Sequence, residues 1–267
     1  MPLINVAWSL GAMSATMFSA TAISPWLGSW RGVMFFWAVP CTALGLVWLF
    51  TGQEPAKNEA PEVHAVTVPF REALSHVAHI KDVWIIGLLT LAHFGATMGF
   101  MGYLPLYLRN SGWTTTAADS SITVLSGVGT LGAIPMVLLS DKIGSRKAVL
   151  ALSILALTAI LAFLPFVNST GVWLLIIIGG FLRSGGPSMI NVMIFETKGV
   201  GGTYGGTAMG LSGAIGMVGA FLSPPLGNSF ADFSAGLPLL FWAGLSILAL
   251  VPLFFIQSKT NSTLQLN

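Results

Sequence analysis

Eight long apolar runs dominate the sequence and restrict it to one class of fold. A helix needs about 20 mainly apolar residues to cross the roughly 30 Å core of a bilayer, because it rises about 1.5 Å per residue. Runs of this length lie at residues 3–24, 31–50, 83–108, 119–139, 148–166, 172–195, 204–227 and 237–256. Only 7% of the residues are charged, against about 25% in a soluble domain. The sequence therefore predicts an all-α polytopic membrane protein with about eight transmembrane helices.

Charge and cysteine content exclude several other classes of protein. One cysteine cannot form a disulfide scaffold, and a net charge of +2 with scattered basic residues argues against a nucleic-acid partner. No nucleotide-binding loop occurs, which disfavours ATP-driven transport. We predict no cofactor and no metal site, since His76 and His79, spaced i, i+3, lack a nearby array of cysteines or carboxylates.

One connection, residues 52–82, is long and polar enough to be a linker. It separates two spans in residues 1–51 from six in residues 83–257, with a tail at residues 258–267. After Pro69, apolar residues at helical spacing predict a short surface helix before the third span. The alternative is that these residues are the frayed start of that span.

The distribution of cations predicts the orientation in the membrane. Eight cations lie in the linker, in two turns and in the tail: Lys57, Arg71, Lys81, Lys142, Arg146, Lys147, Lys198 and Lys259. The other side carries only Arg31 and Arg109. By the positive-inside rule, we expect both termini to be cytoplasmic in a protein of the plasma (cytoplasmic) membrane.

A repeat relates the first and seventh predicted spans. Five residues recur with an offset of 199: Gly11, Ala20, Ser24, Pro25 and Gly28 correspond to Gly210, Gly219, Ser223, Pro224 and Gly227. The next spans share Phe-Trp-Ala, starting at Phe36 and at Phe241. The two copies are six spans apart in the chain, so both run in the same direction, as in a parallel repeat. The small residues predict close helix packing.

These patterns resemble one transporter family. Gly11-x8-Ala20-x3-Ser24-Pro25-x2-Gly28 is similar to the fifth-helix signature of the major facilitator superfamily, with Ala20 and Ser24 in place of two glycines. Residues 139–147 (LSDKIGSRK) resemble the cytoplasmic turn between helices 8 and 9 of that family. The resemblance implies a major-facilitator-like bundle containing helices 5 to 12 of 12, truncated at its N-terminus, that works by alternating access.

Four residues of this turn, Asp141, Gly144, Arg146 and Lys147, form a candidate conformational latch. A carboxylate at a helix end can face the positive N-terminus of a neighbouring helix, and cations can bind headgroups or a carboxylate. The resemblance implies that this contact holds the two halves in one alternating-access state. The alternative is an ordinary positive-inside turn.

Two ionisable side chains, His93 and Arg183, lie deep within predicted spans, each roughly 15–17 Å from the nearer end of its run. An arginine at a helix centre costs about 2.5–3.5 kcal/mol to insert, so it should face a cavity or a partner. We therefore assign Arg183, His93 and Asn191 to solute binding. We assign His93 and Glu196 to proton coupling, because an imidazole with an unperturbed pKa of about 6.5 suits that role.

The sequence thus predicts secondary transport of a small solute. It favours an organic or inorganic anion as the solute and coupling of its transport to protons. The partners would be the lipid bilayer, the solute and H⁺, with a missing N-terminal helix segment. Two alternatives remain: a non-transporting remnant or scaffold lacking four helices, and a membrane enzyme that uses His76 or His79 as a base at the cytoplasmic surface.

Overall fold

Helices form the regular elements throughout the part of the chain that the structure describes. This structure is a computed structural model, and it describes residues 11, 14–15, 18–52 and 68–256. The helices are α1 (Ser24–Leu27), α2 (Trp30–Thr51), α3 (Phe70–Ala78), α4 (Lys81–Asn110), α5 (Thr115–Ile143), α6 (Arg146–Phe166), α7 (Ser169–Glu196), α8 (Gly201–Asn228) and α9 (Leu237–Phe255). Among these described residues, seven helices, α2 and α4 to α9, are long and apolar enough to cross a membrane.

The predicted all-α polytopic fold is confirmed, and seven of the eight predicted spans correspond to these long helices. The remaining predicted span, residues 3–24 at the start of the chain, lies largely outside the described residues. Residues 53–67 of the linker and the predicted tail also lie outside them. Length and apolarity account for the agreement, because these two properties are what a spanning helix requires.

Helix α4 lies at the centre of the bundle and contacts α3 and each of α5 to α9. Its closest neighbour is α8, where glycines let the two backbones touch. A Cβ atom added to Gly95 would lie 3.1 Å from the Gly219 carbonyl oxygen, and one added to Gly219 would meet the backbone of Leu91. Close approach of this kind replaces the hydrophobic driving force that is absent between helices in lipid.

The small residues in the second copy of the repeat divide into two groups. Gly219, Ser223 and Gly227 are buried on one face of α8, and Gly227 lies against the indole of Trp242. Gly210 does not pack in this way, because nine residues of helix place it on the opposite face from Gly219, and nothing described lies within 4 Å of its Cβ position. The described part of the chain therefore gives Gly210 no packing contact, and its packing role stays a prediction.

The first copy of the repeat differs from the second. Gly28 ends α1 in the left-handed conformation, with φ 64°, where its counterpart Gly227 continues a helix. Pro25 follows a π-helical turn, Ser19–Ile23, in which the Ser24 amide donates to the Ser19 carbonyl. The Cβ positions of both Gly11 and Gly28 face open space among the described residues, so the structure gives neither one a packing contact. Gly28 is explained by backbone conformation instead.

Helix α3 is separate from α4, with a short break at His79 and Ile80. Its buried residues, Ala73 and Val77, face the neighbouring helices α4 and α8. His76 fixes it further: its Nε2 atom lies 2.9 Å from the Gly199 carbonyl oxygen, and its ring stacks on Tyr204 with centroids 4.2 Å apart. The buried part of its apolar stripe, Ala73 and Val77, therefore packs on protein, whereas Phe70 is exposed.

The bundle has two chemically different ends. One end, which we call the basic end, contains the α5–α6 turn, the α7–α8 turn, α3 and the end of α9. The other, the aromatic end, contains the paired Arg109 and Asp119 and the Trp113–Trp173 contact, whose centroids are 5.6 Å apart. There too the Tyr103 hydroxyl donates to the Ala235 carbonyl over 3.0 Å.

Candidate functional site

Helix α7 is broken near its middle, which is the feature that organises the candidate site. A π-helical turn, Leu175–Gly179, precedes Gly180–Arg183, and the helix is interrupted at Ser184 before continuing as Gly185–Glu196. The Gly185-Gly186-Pro187 sequence explains the break, because glycine weakens a helix and proline removes one of its hydrogen bonds. Broken helices at membrane depth occur where the freed backbone is satisfied by protein or lines a cavity.

The carbonyl group of Arg183 is the one that Pro187 leaves without a helical donor, because residue 187 would donate to residue 183 in a regular helix. That carbonyl accepts a hydrogen bond from the Ser153 hydroxyl of α6. Ser153 is completely buried. A side chain on a neighbouring helix thus satisfies the backbone group that the break exposes.

His93 faces the same break from α4. It is 2% exposed, and its ring lies against Gly186: a Cβ added to Gly186 would be 3.3 Å from His93 Nε2 and 2.7 Å from Ser153 Oγ. The Nδ1 atom of His93 is buried without a hydrogen-bond partner in the described part of the chain. A buried, unsatisfied ring nitrogen is uncommon and marks a group with capacity to exchange a proton or bind a ligand.

Arg183 is half-buried, and its Nε atom has no hydrogen-bond partner among the described residues. The ion pairs of the described chain lie at the two ends of the bundle, and none involves Arg183. Arg183 is three residues, or about 4.5 Å of helical rise, from Gly186. The break therefore brings an unpaired guanidinium and a buried imidazole to nearly the same level of the bundle.

An open cleft of about 80 Å³ lies between α4, α7 and α8. Its walls are formed by Thr90, Phe94, Pro187, Ile190, Asn191, Ile194, Met209, Ser212 and Gly213. Asn191 gives this wall an amide, whereas the hydroxyl of Thr90 already donates to the Ile86 carbonyl in its own helix. His93 and Arg183 are not among the described residues that line the cleft. Asn191 is therefore the one predicted solute residue among those that line this cleft.

The predicted latch residues gather at the basic end. Gly144 ends α5 in the left-handed conformation, with φ 71°, and Ser145 caps α6. Arg146 pairs with Asp141, donates to Ser140 Oγ over 3.1 Å, and lies 3.7 Å from Glu196 Oε1.

These contacts join the ends of several helices within one bundle. Lys147 adds a hydrogen bond to the Ile256 carbonyl just after α9. Glu196 thus lies with Arg146, about 15 Å of helical rise from the Gly186 contact with His93. The structure does not bring together the two residues that we assigned to proton coupling. Asp141 and Glu196 remain exposed over 54% and 48% of their side chains.

Ser153 belongs to this site but was not predicted from the sequence. The signal was present, because Ser153 is the only polar side chain between Lys147 and Thr158 in an otherwise apolar helix. This serine alone does not predict a contact with α7, since a single hydroxyl can donate to a carbonyl of its own helix.

Comparison with known families agrees with this architecture. The family model described as Major Facilitator Superfamily matches residues 2–200 and residues 112–266. The two matches overlap and together cover nearly the whole chain. No curated protein matches the sequence.

Proposed function

The chain belongs to the Major Facilitator Superfamily, and we propose that, within this family of secondary transporters, it moves a small organic or inorganic anion coupled to protons. Members of the family are membrane transporters rather than enzymes, and the seven apolar helices agree with an integral membrane protein. The solute class, the coupling ion and the residues that serve them are the proposal.

The observation that carries the proposal is the unpaired Arg183 guanidinium beside the break in α7. A membrane-buried arginine costs about 2.5–3.5 kcal/mol on insertion scales, which a functional partner would offset. No carboxylate of the described chain pairs with it. A carboxylate or phosphate group on the solute would supply the bidentate acceptor that a guanidinium prefers.

Proton coupling rests on His93. Its ring is buried against the break, one helical turn from Arg183, and within the described residues Nδ1 has no partner that would prevent it from accepting a proton. Loading of a proton on His93 would favour the bound anion, and its release would favour departure of the anion. Glu196 would serve only at the basic end, where its partner is Arg146.

Asn191 would form a second contact with the solute. It lies on the same helix as Arg183, eight residues further on, and its amide faces the cleft between α4, α7 and α8. An amide there can bond a polar group of the solute without adding charge.

For the alternating-access step, we propose that a latch is formed by Asp141, Gly144, Arg146 and Lys147. Two observations support it: the cluster ties the ends of α5, α6 and α7 to each other, and its carboxylates stay about half exposed. An exposed carboxylate leaves acceptor capacity for a partner from the other half of the fold. The basic end would be cytoplasmic, with both termini on that side and the protein in the plasma membrane.

The test is accumulation of labelled anions in proteoliposomes under an imposed pH gradient. Inorganic phosphate, succinate and gluconate represent three chemistries of anion. Arg183→Ala should abolish accumulation, while Arg183→Lys should retain part of it, because a cation remains. Arg109→Ala is the matched control, since Arg109 pairs with Asp119 at the aromatic end. Full activity of both Arg183 variants would remove the proposed site.

A further inference from the structure

The break in α7 leaves one backbone group that a residue outside the helix must satisfy. Pro187 has no N–H, so the Arg183 carbonyl lacks its usual donor four residues along. In the membrane interior no bulk water can replace that donor, and an unsatisfied carbonyl is costly. The Ser153 hydroxyl of α6 is the donor that the structure provides.

Three groups meet at this point. Ser153 Oγ and His93 Nε2 both face Gly186, at 2.7 and 3.3 Å from the position of an added Cβ atom. Arg183 lies one turn away along α7. The Ser153 hydroxyl therefore fixes the carbonyl of the residue that carries the guanidinium, next to the imidazole.

We propose that Ser153 is a positioning residue of the transport site: by bonding the Arg183 carbonyl that Pro187 leaves free, it holds the break in α7 so that Arg183 and His93 keep their relative positions. The bond itself is independent of the transported solute. The positioning role rests on the proposed function.

A double-mutant cycle between Ser153→Ala and Pro187→Ala tests the bond. Alanine at position 187 restores the missing N–H, so the carbonyl no longer needs Ser153. We expect Ser153→Ala to lower the Tm of the purified protein by about 3–6 °C when Pro187 is present. In the Pro187→Ala background, the same change should lower Tm by less than half of that amount.

Ser121→Ala is the matched control. Ser121 is also completely buried, but its hydroxyl bonds the Ala118 carbonyl of its own helix over 2.6 Å. That carbonyl keeps its helical donor, so the control should lower Tm by less than half as much as Ser153→Ala does. Equal losses for Ser153→Ala in both backgrounds, or no loss in either, would overturn the proposal. If Ser153→Ala folds only together with Pro187→Ala, the proposal is supported; if neither combination folds although Pro187→Ala does, it is overturned.

The positioning role has its own readout in the pH profile of anion accumulation. Ser153→Ala should shift the midpoint of that profile by about 0.5 pH unit or more, because the imidazole loses its fixed neighbour. Ser121→Ala should leave the midpoint unchanged. A Ser153→Ala profile that superimposes on that of the wild type would contradict positioning. If the wild type accumulates none of the three anions, the proposed function fails, while the Tm cycle still decides the bond.

Discussion

Two adjacent residues, Gly186 and Pro187, shape the candidate site although neither has a side chain that could bind a solute. Pro187 frees a backbone carbonyl, and Gly186 provides the space into which Ser153 and His93 reach. The carbonyl that Pro187 frees belongs to Arg183, which lies three residues before Gly186. A polar site inside a membrane therefore requires small residues and proline as much as it requires charge.

Gly186→Ala is expected to destabilise the protein. The added Cβ would lie 2.7 Å from Ser153 Oγ, so the serine, the imidazole or the helix must move. Overpacking of this kind costs about 1–3 kcal/mol, which a lower Tm and reduced anion accumulation would report. Gly102→Ala on α4 is the control, because none of the described residues lies within 4 Å of its Cβ position. Equal Tm values for Gly186→Ala and the wild type would contradict the packing described here.

At the scale of the elements, length and apolarity were enough to locate the spans, because those are the properties that a bilayer selects. The faces of the helices were harder to predict. Gly210 and Gly219 are both small residues of the repeat, and both were predicted to pack. They lie on opposite sides of α8, and only Gly219 contacts α4 among the described residues. Sequence offset alone does not state which side meets α4. Glu196 is a similar case, since its pairing with Arg146 depends on how the ends of α6 and α7 meet.

The two glycines of α8 provide a matched test of that contact. Gly219→Ala should lower stability by about 1–3 kcal/mol, because the added Cβ would meet the rigid backbone of α4 at Leu91. Gly210→Ala should be neutral or stabilising by up to about 1 kcal/mol, since alanine is the better helix former and no described residue lies within 4 Å of the added Cβ. Thermal unfolding in detergent measures both. A larger loss for Gly210→Ala would reverse the assignment of faces.

For the whole molecule, the two ends of the bundle differ in the residues that they carry. The basic end collects the Asp141–Arg146–Glu196 contacts, Lys147 and the docked α3. The aromatic end carries Arg109 and the tryptophan pair. The sequence predicted this division from charge alone, but the contacts among the basic residues required the helices to be assembled.

Labelling with a membrane-impermeant maleimide tests the orientation. The chain has one cysteine, so Cys41→Ala provides a cysteine-free background. In intact cells, Ser111→Cys at the aromatic end should be labelled, and Lys142→Cys at the basic end should react only after permeabilisation. Both positions are exposed, so access to the reagent is decided by the side of the membrane. The opposite pattern would invert the proposed topology.

Coupling between anion and proton is the central claim, and internal pH is its most direct measure. Proteoliposomes containing a trapped pH-sensitive dye, with equal pH inside and outside, should change their internal pH when a gradient of the transported anion is imposed. His93→Gln should abolish this pH change. The glutamine amide can still form hydrogen bonds, but it does not bind or release a proton near neutral pH. Anion entry without any change of internal pH in the wild type, or an unchanged proton flux in His93→Gln, would contradict the account.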